Sequence, residues 1–171
     1  GTGLVARARK GEADAIAELF RRYADEVYQV AARLTQSAHD ADDVTQDVFV
    51  GLPEALHGYE ATGDLGAWIR RIATRTALLY MRRNKRQAKW ERRAAQDHSP
   101  TAAPDQVEAR MALKWALDRM PEHWRIVYIL REIEGFSHDE IAAELDISAS
   151  SSSVRLHRAR QFLRDRLEGR I

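Results

Sequence analysis

Six cations, Arg71, Arg75, Arg82, Arg86, Lys89 and Arg93, recur in the stretch DLGAWIRRIATRTALLYMRRNKRQAKWERR, Asp64 to Arg93. At about 100° per residue they share a helical sector roughly 60° wide, a row of charges suited to phosphates. The stretch holds ten Lys or Arg against Asp64 and Glu91, a balance of +8 (10 minus 2). Tyr59, Trp68, Tyr80 and Trp90 interleave the cations and their approach. Single strands are held by cations that track the backbone and by aromatic faces that stack on bases, at about 1–3 kcal/mol per base. A basic amphipathic helix also suits a membrane surface, a calmodulin-type partner or plain solvent. Leu65, Ile69, Ile72, Thr76 and Leu79 group on a neighbouring sector and mark the expected packed face. Trp68, beside that sector, reads as core.

A second constellation is acidic. Asp40, Asp42, Asp43 and Asp47 crowd the start of a helix, where carboxylates favour the positive helix end and offer a docking face to a basic protein. No His, Lys or Ser recurs nearby to complete an acid–base site, so no enzyme activity is expected. The chain has no cysteine, which excludes disulfides, thiolate metal sites and Cys nucleophiles. Its six histidines lack a ligand pair at helical spacing, and neither metal nor cofactor is expected. A third constellation closes the chain: GFSHDEIAAELDIS, then RLHRAR. A capping box at Ser137–Glu140, a short turn and an Arg-rich second helix have the spacing of a helix-turn-helix.

The elements that carry these groups follow from periodicity. The 171 residues suffice for one domain or two small ones, and 44% hydrophobic residues suffice for a core. Mean hydropathy is −0.51. No apolar run approaches the ~18–20 residues of a membrane span, and no secretory signal pattern opens the chain. A soluble, cytoplasmic protein without membrane insertion is the expectation. Gly1-Thr2-Gly3 reads as a remnant foreign to the fold. The apolar spacing of Ile16, Leu19, Phe20, Tyr23, Val27, Val30, Ala31 and Leu34 predicts a helix over about 13–35. Ser37 opens a second helix with a buried stripe of Val44, Val48, Phe49 and Leu52, which Pro53 should kink or end. QDHSPTAAPD, 96–105, reads as linker. Beyond it lie a helix over about 107–120 with Met111, Trp115 and Leu117 among its apolar residues, another after Pro121 with Trp124, Val127, Tyr128 and Leu130, a stop at Gly135, and the final two-helix unit. Leu156, Ala159, Phe162, Leu163 and Leu167 should point inward. No strand pattern occurs, so the fold class is all-α. Charge is segregated: −5 over residues 1–60, then the +8 stretch, −2 over 94–110, −4 over 111–147 and +4 over 148–171. Two acidic modules each end in a basic helix, a pattern that suits contact with nucleic acid at two places.

Together these motifs resemble bacterial sigma factors of the extracytoplasmic-function (ECF) group, the small type that keeps only regions 2 and 4. The resemblance runs from about Leu4 to Leu167. It is carried by DADDVTQDVF (40–49), AWIRRIA (67–73), the YMRR ending at Arg83, MPEHWRIVYILREIEGFSHDEIAAEL (120–145) and RLHRAR (155–160). It implies two small helical domains, 4–93 and 106–171, joined by a flexible linker over 94–105. It implies that Asp40, Asp42, Asp43, Gln46 and Asp47 dock on the β′ clamp of core RNA polymerase. Tyr59, Arg71, Arg75, Tyr80, Arg82, Arg83 and Arg86 would then meet the minus-ten element. The loop at about Gly58–Leu65 would receive a flipped base of the non-template strand, at a cost of a few kcal/mol. The second domain would sit on the β flap and place Ser150, Ser151, Ser153, Arg155 and Arg158 against the minus-thirty-five element. An anti-sigma factor commonly covers these faces in the family.

Two departures stand out. Arg75 and Leu79 occupy places where the family usually has Asn and Asp. The recognition helix opens on Ser150-Ser-Ser-Ser153-Val154, with serines in place of the usual apolar packing residue and basic residue. Weaker or altered minus-thirty-five readout is expected, with more of the contact on Arg155 and Arg158. Two other readings remain: a helix-turn-helix regulator that binds duplex DNA without the polymerase, and an interaction protein with weakened DNA readout.

Overall fold

The computed structural model describes residues 2–91 and 108–168, with no strand among them. The chain divides into two compact units, Gly1–Arg93 and Ala94–Ile171. The expected linker, 94–105, lies outside the described residues, as do Arg93 and the side chains of Lys89 and Trp90.

The first unit contains α1 (Thr2–Arg9), α2 (Ala13–Thr35), α3 (Ala38–Ala55) and α4 (Leu65–Glu91). α1 begins at Thr2, and its Val5 and Ala8 are buried. α2 buries Ala15, Leu19, Val27, Val30, Ala31 and Leu34. It stops where Gln36 turns into the left-handed region at φ 55° and its N–H donates to the Ala32 carbonyl. Phe20 departs from the expected stripe: it is 47% exposed, with its ring edge-on to Phe49 at 4.9 Å. Ser37 caps α3, its Oγ accepting from the Asp40 N–H at 3.2 Å. Pro53 is tolerated for two more residues before a 3-10 turn, Leu56–Gly58.

α4 packs through Gly66, Ile69, Ala73, Thr74, Ala77 and Leu78. This corrects the expected face: Leu79 is 45% exposed, whereas Ala73 and Ala77 are fully buried. Small residues let α4 approach its neighbours closely, so the contact face is centred on alanines instead of the largest apolar side chains. Gly66 serves the same end, because a Cβ there would stand 3.2 Å from Cε1 of Tyr23.

The second unit contains α5 (Glu108–Arg119), α6 (Glu122–Tyr128), a π-helical turn (Ile129–Ile133), α7 (His138–Leu145) and α8 (Ala149–Glu168). Pro121 stands just outside α6, its carbonyl accepting from the N–H groups of Trp124 and Arg125. The turn ends at Gly135 (φ 73°), where the Phe136 N–H returns to the Leu130 carbonyl at 2.8 Å and the Phe136 ring is fully buried. Ala116, Leu117, Met120, Ala159 and Leu163 form a core flanked by Trp115, Trp124 and Phe162. Met111, expected inside, is 45% exposed. Ser137 and Glu140 close the full capping box of α7. Asp146 makes the left-handed turn at φ 54°, and Ser148 Oγ accepts from the Ser151 N–H to start α8. Helix, tight turn and longer basic helix complete the helix-turn-helix.

Candidate nucleic-acid and partner interfaces

On α4, Arg75, Arg82, Arg83, Lys85 and Arg86 are exposed, and Arg71 is half-buried. Residues 75, 79, 82, 83 and 86 recur at helical spacing, so they form one outward stripe with Leu79 among the arginines. Lys and Arg at this spacing neutralise phosphates and release counterions.

The two tyrosines assigned to this face are held differently from a free stacking platform. Tyr59 is 8% exposed, with its ring 5.2 Å from that of Trp68. Its hydroxyl donates to the Gly63 carbonyl at 2.6 Å and closes the loop that precedes α4. Arg9 of α1 steadies the same loop by donating to the carbonyls of Leu56 and Tyr59. Glu60, Ala61, Thr62, Gly63 and Asp64 remain exposed around this brace. Periodicity gives no signal for Arg9, because its partners lie 47 and 50 residues away. In the structure Tyr59 and Trp68 therefore shape the loop from inside.

Tyr80 is half-buried and reaches α3. Its hydroxyl lies 3.1 Å from Oδ1 of Asp40 and 2.8 Å from Oδ2 of Asp43, so its one proton is shared between two carboxylates. Burial first, then the Asp43 hydrogen bond, pushes the phenol up to about 12; Asn84 opposes the rise and Asp40 adds to it. The acidic cluster thus has two faces. Asp40 and Asp43 turn partly inward to Tyr80, whereas Asp42, Gln46 and Asp47 are exposed. His39 Nε2 lies 3.5 Å from Asp43. His39, Asp40 and Asp43 bring ligand atoms within 4.8 Å of one another, so a histidine does stand beside these carboxylates. Both carboxylates already accept from Tyr80, which leaves the cluster a hydrogen-bonded seam.

On α8 the serine run splits. Ser150, Ser151 and Ser153 are exposed, and Ser152 is fully buried. Arg158 faces solvent and Arg155 is half-buried. Val154, 57% exposed, joins Ser153, His157, Arg158 and Gln161 around one shallow concavity. The sequence assigns no contact to Val154, His157 or Gln161, although Val154 ends the serine run that departs from the family pattern. Their signal was the spacing 150, 154, 157, 158, 161, which lines one helical face. Arg160 is paired with Glu132, and Arg166 lies over the Phe162 ring at 4.7 Å.

Residues 19–87 match the family described as Sigma-70 region 2, and residues 110–163 match Sigma-70, region 4. The chain belongs to the sigma-70 family, in its ECF group. This sigma factor is 35% identical over 156 residues to the ECF RNA polymerase sigma factor SigE of Mycolicibacterium smegmatis, across 88% of this chain and 60% of that protein. It is 24% identical to the ECF RNA polymerase sigma factor SigW of Bacillus subtilis, across 95% of this chain and 94% of that protein. In fold it is similar to the sigma factor RpoE in complex with the anti-sigma factor NepR from Bartonella quintana. The TM-score is 0.64 at 20% identity, over 91% of this chain and 98% of that one. None of the described helices of the sigma factor is long and apolar enough to cross a membrane.

Proposed function

We propose that this sigma factor directs core RNA polymerase to promoters and assists strand opening, acting in the cytoplasm without catalytic activity of its own. The observation that carries the reading is the seam between α3 and α4. One phenol ties the acidic start of α3 to the helix that bears the arginine stripe. Asp42, Gln46 and Asp47 dock on the β′ clamp, and Asp40 and Asp43 lend their field to that face while they anchor Tyr80. Arg71, Arg75, Arg82, Arg83 and Arg86 hold the minus-ten backbone, and the braced loop after Tyr59 receives the flipped base. Ser150, Ser151, Ser153, Arg155 and Arg158 contact the minus-thirty-five element, with the second unit on the β flap. An anti-sigma factor, the kind of partner bound to RpoE in the Bartonella quintana complex, would act on this chain by covering these surfaces.

A free-standing regulator of duplex DNA has no use for an exposed Asp42–Asp47 face beside a strand-binding helix. The deciding experiment combines the purified chain with core polymerase on a promoter library and scores initiated transcripts. Transcripts that require both components are expected. Tight duplex binding with no core-dependent transcript would overturn the reading.

A further inference from the structure

The buried stripe of α8 begins on a serine. Ser152, Leu156, Ala159 and Leu163 recur at helical spacing and are all buried, and Ser152 is 0% exposed between exposed Ser151 and Ser153. A hydroxyl on such a rung loses its hydration and must find a partner. Its partner comes from the other helix of the helix-turn-helix: Nδ1 of His138, the first residue of α7, lies 2.8 Å from Ser152 Oγ. The bond forms with either neutral tautomer. A ring protonated on Nε2 accepts from the hydroxyl, and a ring protonated on Nδ1 donates to it.

A hydrogen bond constrains both distance and direction. This one sits in the turn of α8 that leads into the outward face of Ser153, Val154, His157 and Arg158. Side-chain tips lie about 5–6 Å from a helix axis, so a roll of about 10° moves them by about 1 Å. That is enough to spoil a bidentate base contact, whose useful distance range is only about 0.5 Å.

We propose that His138 is a positioning residue for upstream promoter readout: through Ser152 it sets the roll of α8 against α7, and with it which side chains meet the base edges. The inference rests on the proposed role of α8 and adds a residue that acts without touching DNA.

The test uses the full chain with core polymerase on duplex promoters randomised separately at the upstream and downstream elements. His138→Ala and Ser152→Ala should each weaken upstream sequence preference by about fivefold to tenfold, leaving downstream preference unchanged in chains that remain folded, with the thermal midpoint lowered more by His138→Ala, which strands the buried hydroxyl. The double variant should be no worse than the poorer single, since both remove one contact. His138→Asn, whose amide replaces Nδ1, should recover to within about twofold. Losses that multiply in the double variant, or unchanged upstream preference in every variant, would overturn the proposal. An independent reading comes from the imidazole nitrogen resonances of His138 in the free chain. Ser152→Ala should move the Nδ1 signal, and an unmoved signal sinks the bond itself. If the wild-type chain initiates no transcript, the promoter reading fails, and the resonance still decides the His138–Ser152 contact.

Discussion

α4 and α8 are both long helices with a basic outer face, yet they present charge in opposite ways. α4 carries eight Lys or Arg and one Glu over 27 residues, and four exposed arginines flank Leu79 on one stripe. α8 carries five Arg against Asp165 and Glu168. Two of those arginines are engaged, Arg160 with Glu132 and Arg166 with Phe162, and the outward face opens on serines and Val154. A dense cationic stripe binds any phosphate backbone and weakens steeply with salt. A sparse face of hydroxyls, one methyl-rich side chain, one exposed guanidinium and one half-buried one binds weakly until its groups match base edges. On the proposed reading the first helix supplies grip and the second supplies discrimination.

Removing the grip is the most severe way to break that contrast. Replacing Arg75, Arg82, Arg83 and Arg86 together with Ala should lower promoter affinity by on the order of a hundredfold and reduce the log–log salt slope by about 3. Arg158→Ala on α8, as a base contact, should leave the slope nearly unchanged while relaxing preference at a base pair, worth about 1–3 kcal/mol. Fluorescence titration of promoter fragments at several salt concentrations separates the two. Equal slopes for both helices would erase the distinction.

Reversing the docking face comes next. Asp42→Lys with Asp47→Lys should weaken association with core polymerase by about tenfold or more, because charge complementarity governs encounter and partner choice. Binding to duplex DNA should be kept or improved by the added cations. Light scattering or an affinity-capture assay with core enzyme checks the first effect. Unchanged core affinity would move the partner surface elsewhere on the first unit.

The helices themselves were largely legible, because periods of three and four survive in α2, α3 and the final unit. The predicted helix over 13–35 coincides with Ala13–Thr35, and the Ser137–Glu140 capping box forms in full. Legibility failed where side-chain size or distance decides. Ala73 and Ala77 are weak apolar signals in sequence, but they define the face of α4, and Leu79 is displaced outward. Tyr59 reads as a stacking aromatic, yet Arg9 and Gly63 hold it inside. The Tyr80 link joins residues 37 and 40 positions apart, beyond the reach of any periodicity. Ser152 looks interchangeable with its serine neighbours until burial singles it out.

Tyr80 allows a finer test of the first unit. Tyr80→Phe removes the hydroxyl and leaves Asp40 and Asp43 without their shared donor, at a cost of about 1–2 kcal/mol in urea unfolding. The effect carries a pH signature. The folded phenol titrates at about 12 against a reference of 10.0, so between these values the folded state holds a proton that the unfolded chain has released. The wild-type advantage over the Phe variant should be level below about pH 10 and shrink as pH rises toward 12. A stability difference flat across that window would mean that the phenol proton is not what binds α3 to α4. If the seam also orients the acidic face, the same variant should weaken core association by a few-fold.

The smallest expected effect, that of Leu79→Ala set beside its neighbour Leu78→Ala, is the sharpest check on which side of α4 faces outward. Leu78 is 4% exposed and Leu79 is 45% exposed. Leu78→Ala should cost about 2–5 kcal/mol through lost transfer energy and a cavity, whereas Leu79→Ala should leave unfolding within about 0.5 kcal/mol of wild type. Adjacent leucines with such different costs would fix the roll of α4 in solution and keep Leu79 between Arg75 and Arg82 on the exposed face proposed to meet the strand. Equal costs would mean that the helix is rolled by a substantial fraction of the 100° between neighbours. The arginines would then turn with it, and the row offered to a melted strand would no longer be the one that Arg75, Arg82, Arg83 and Arg86 define.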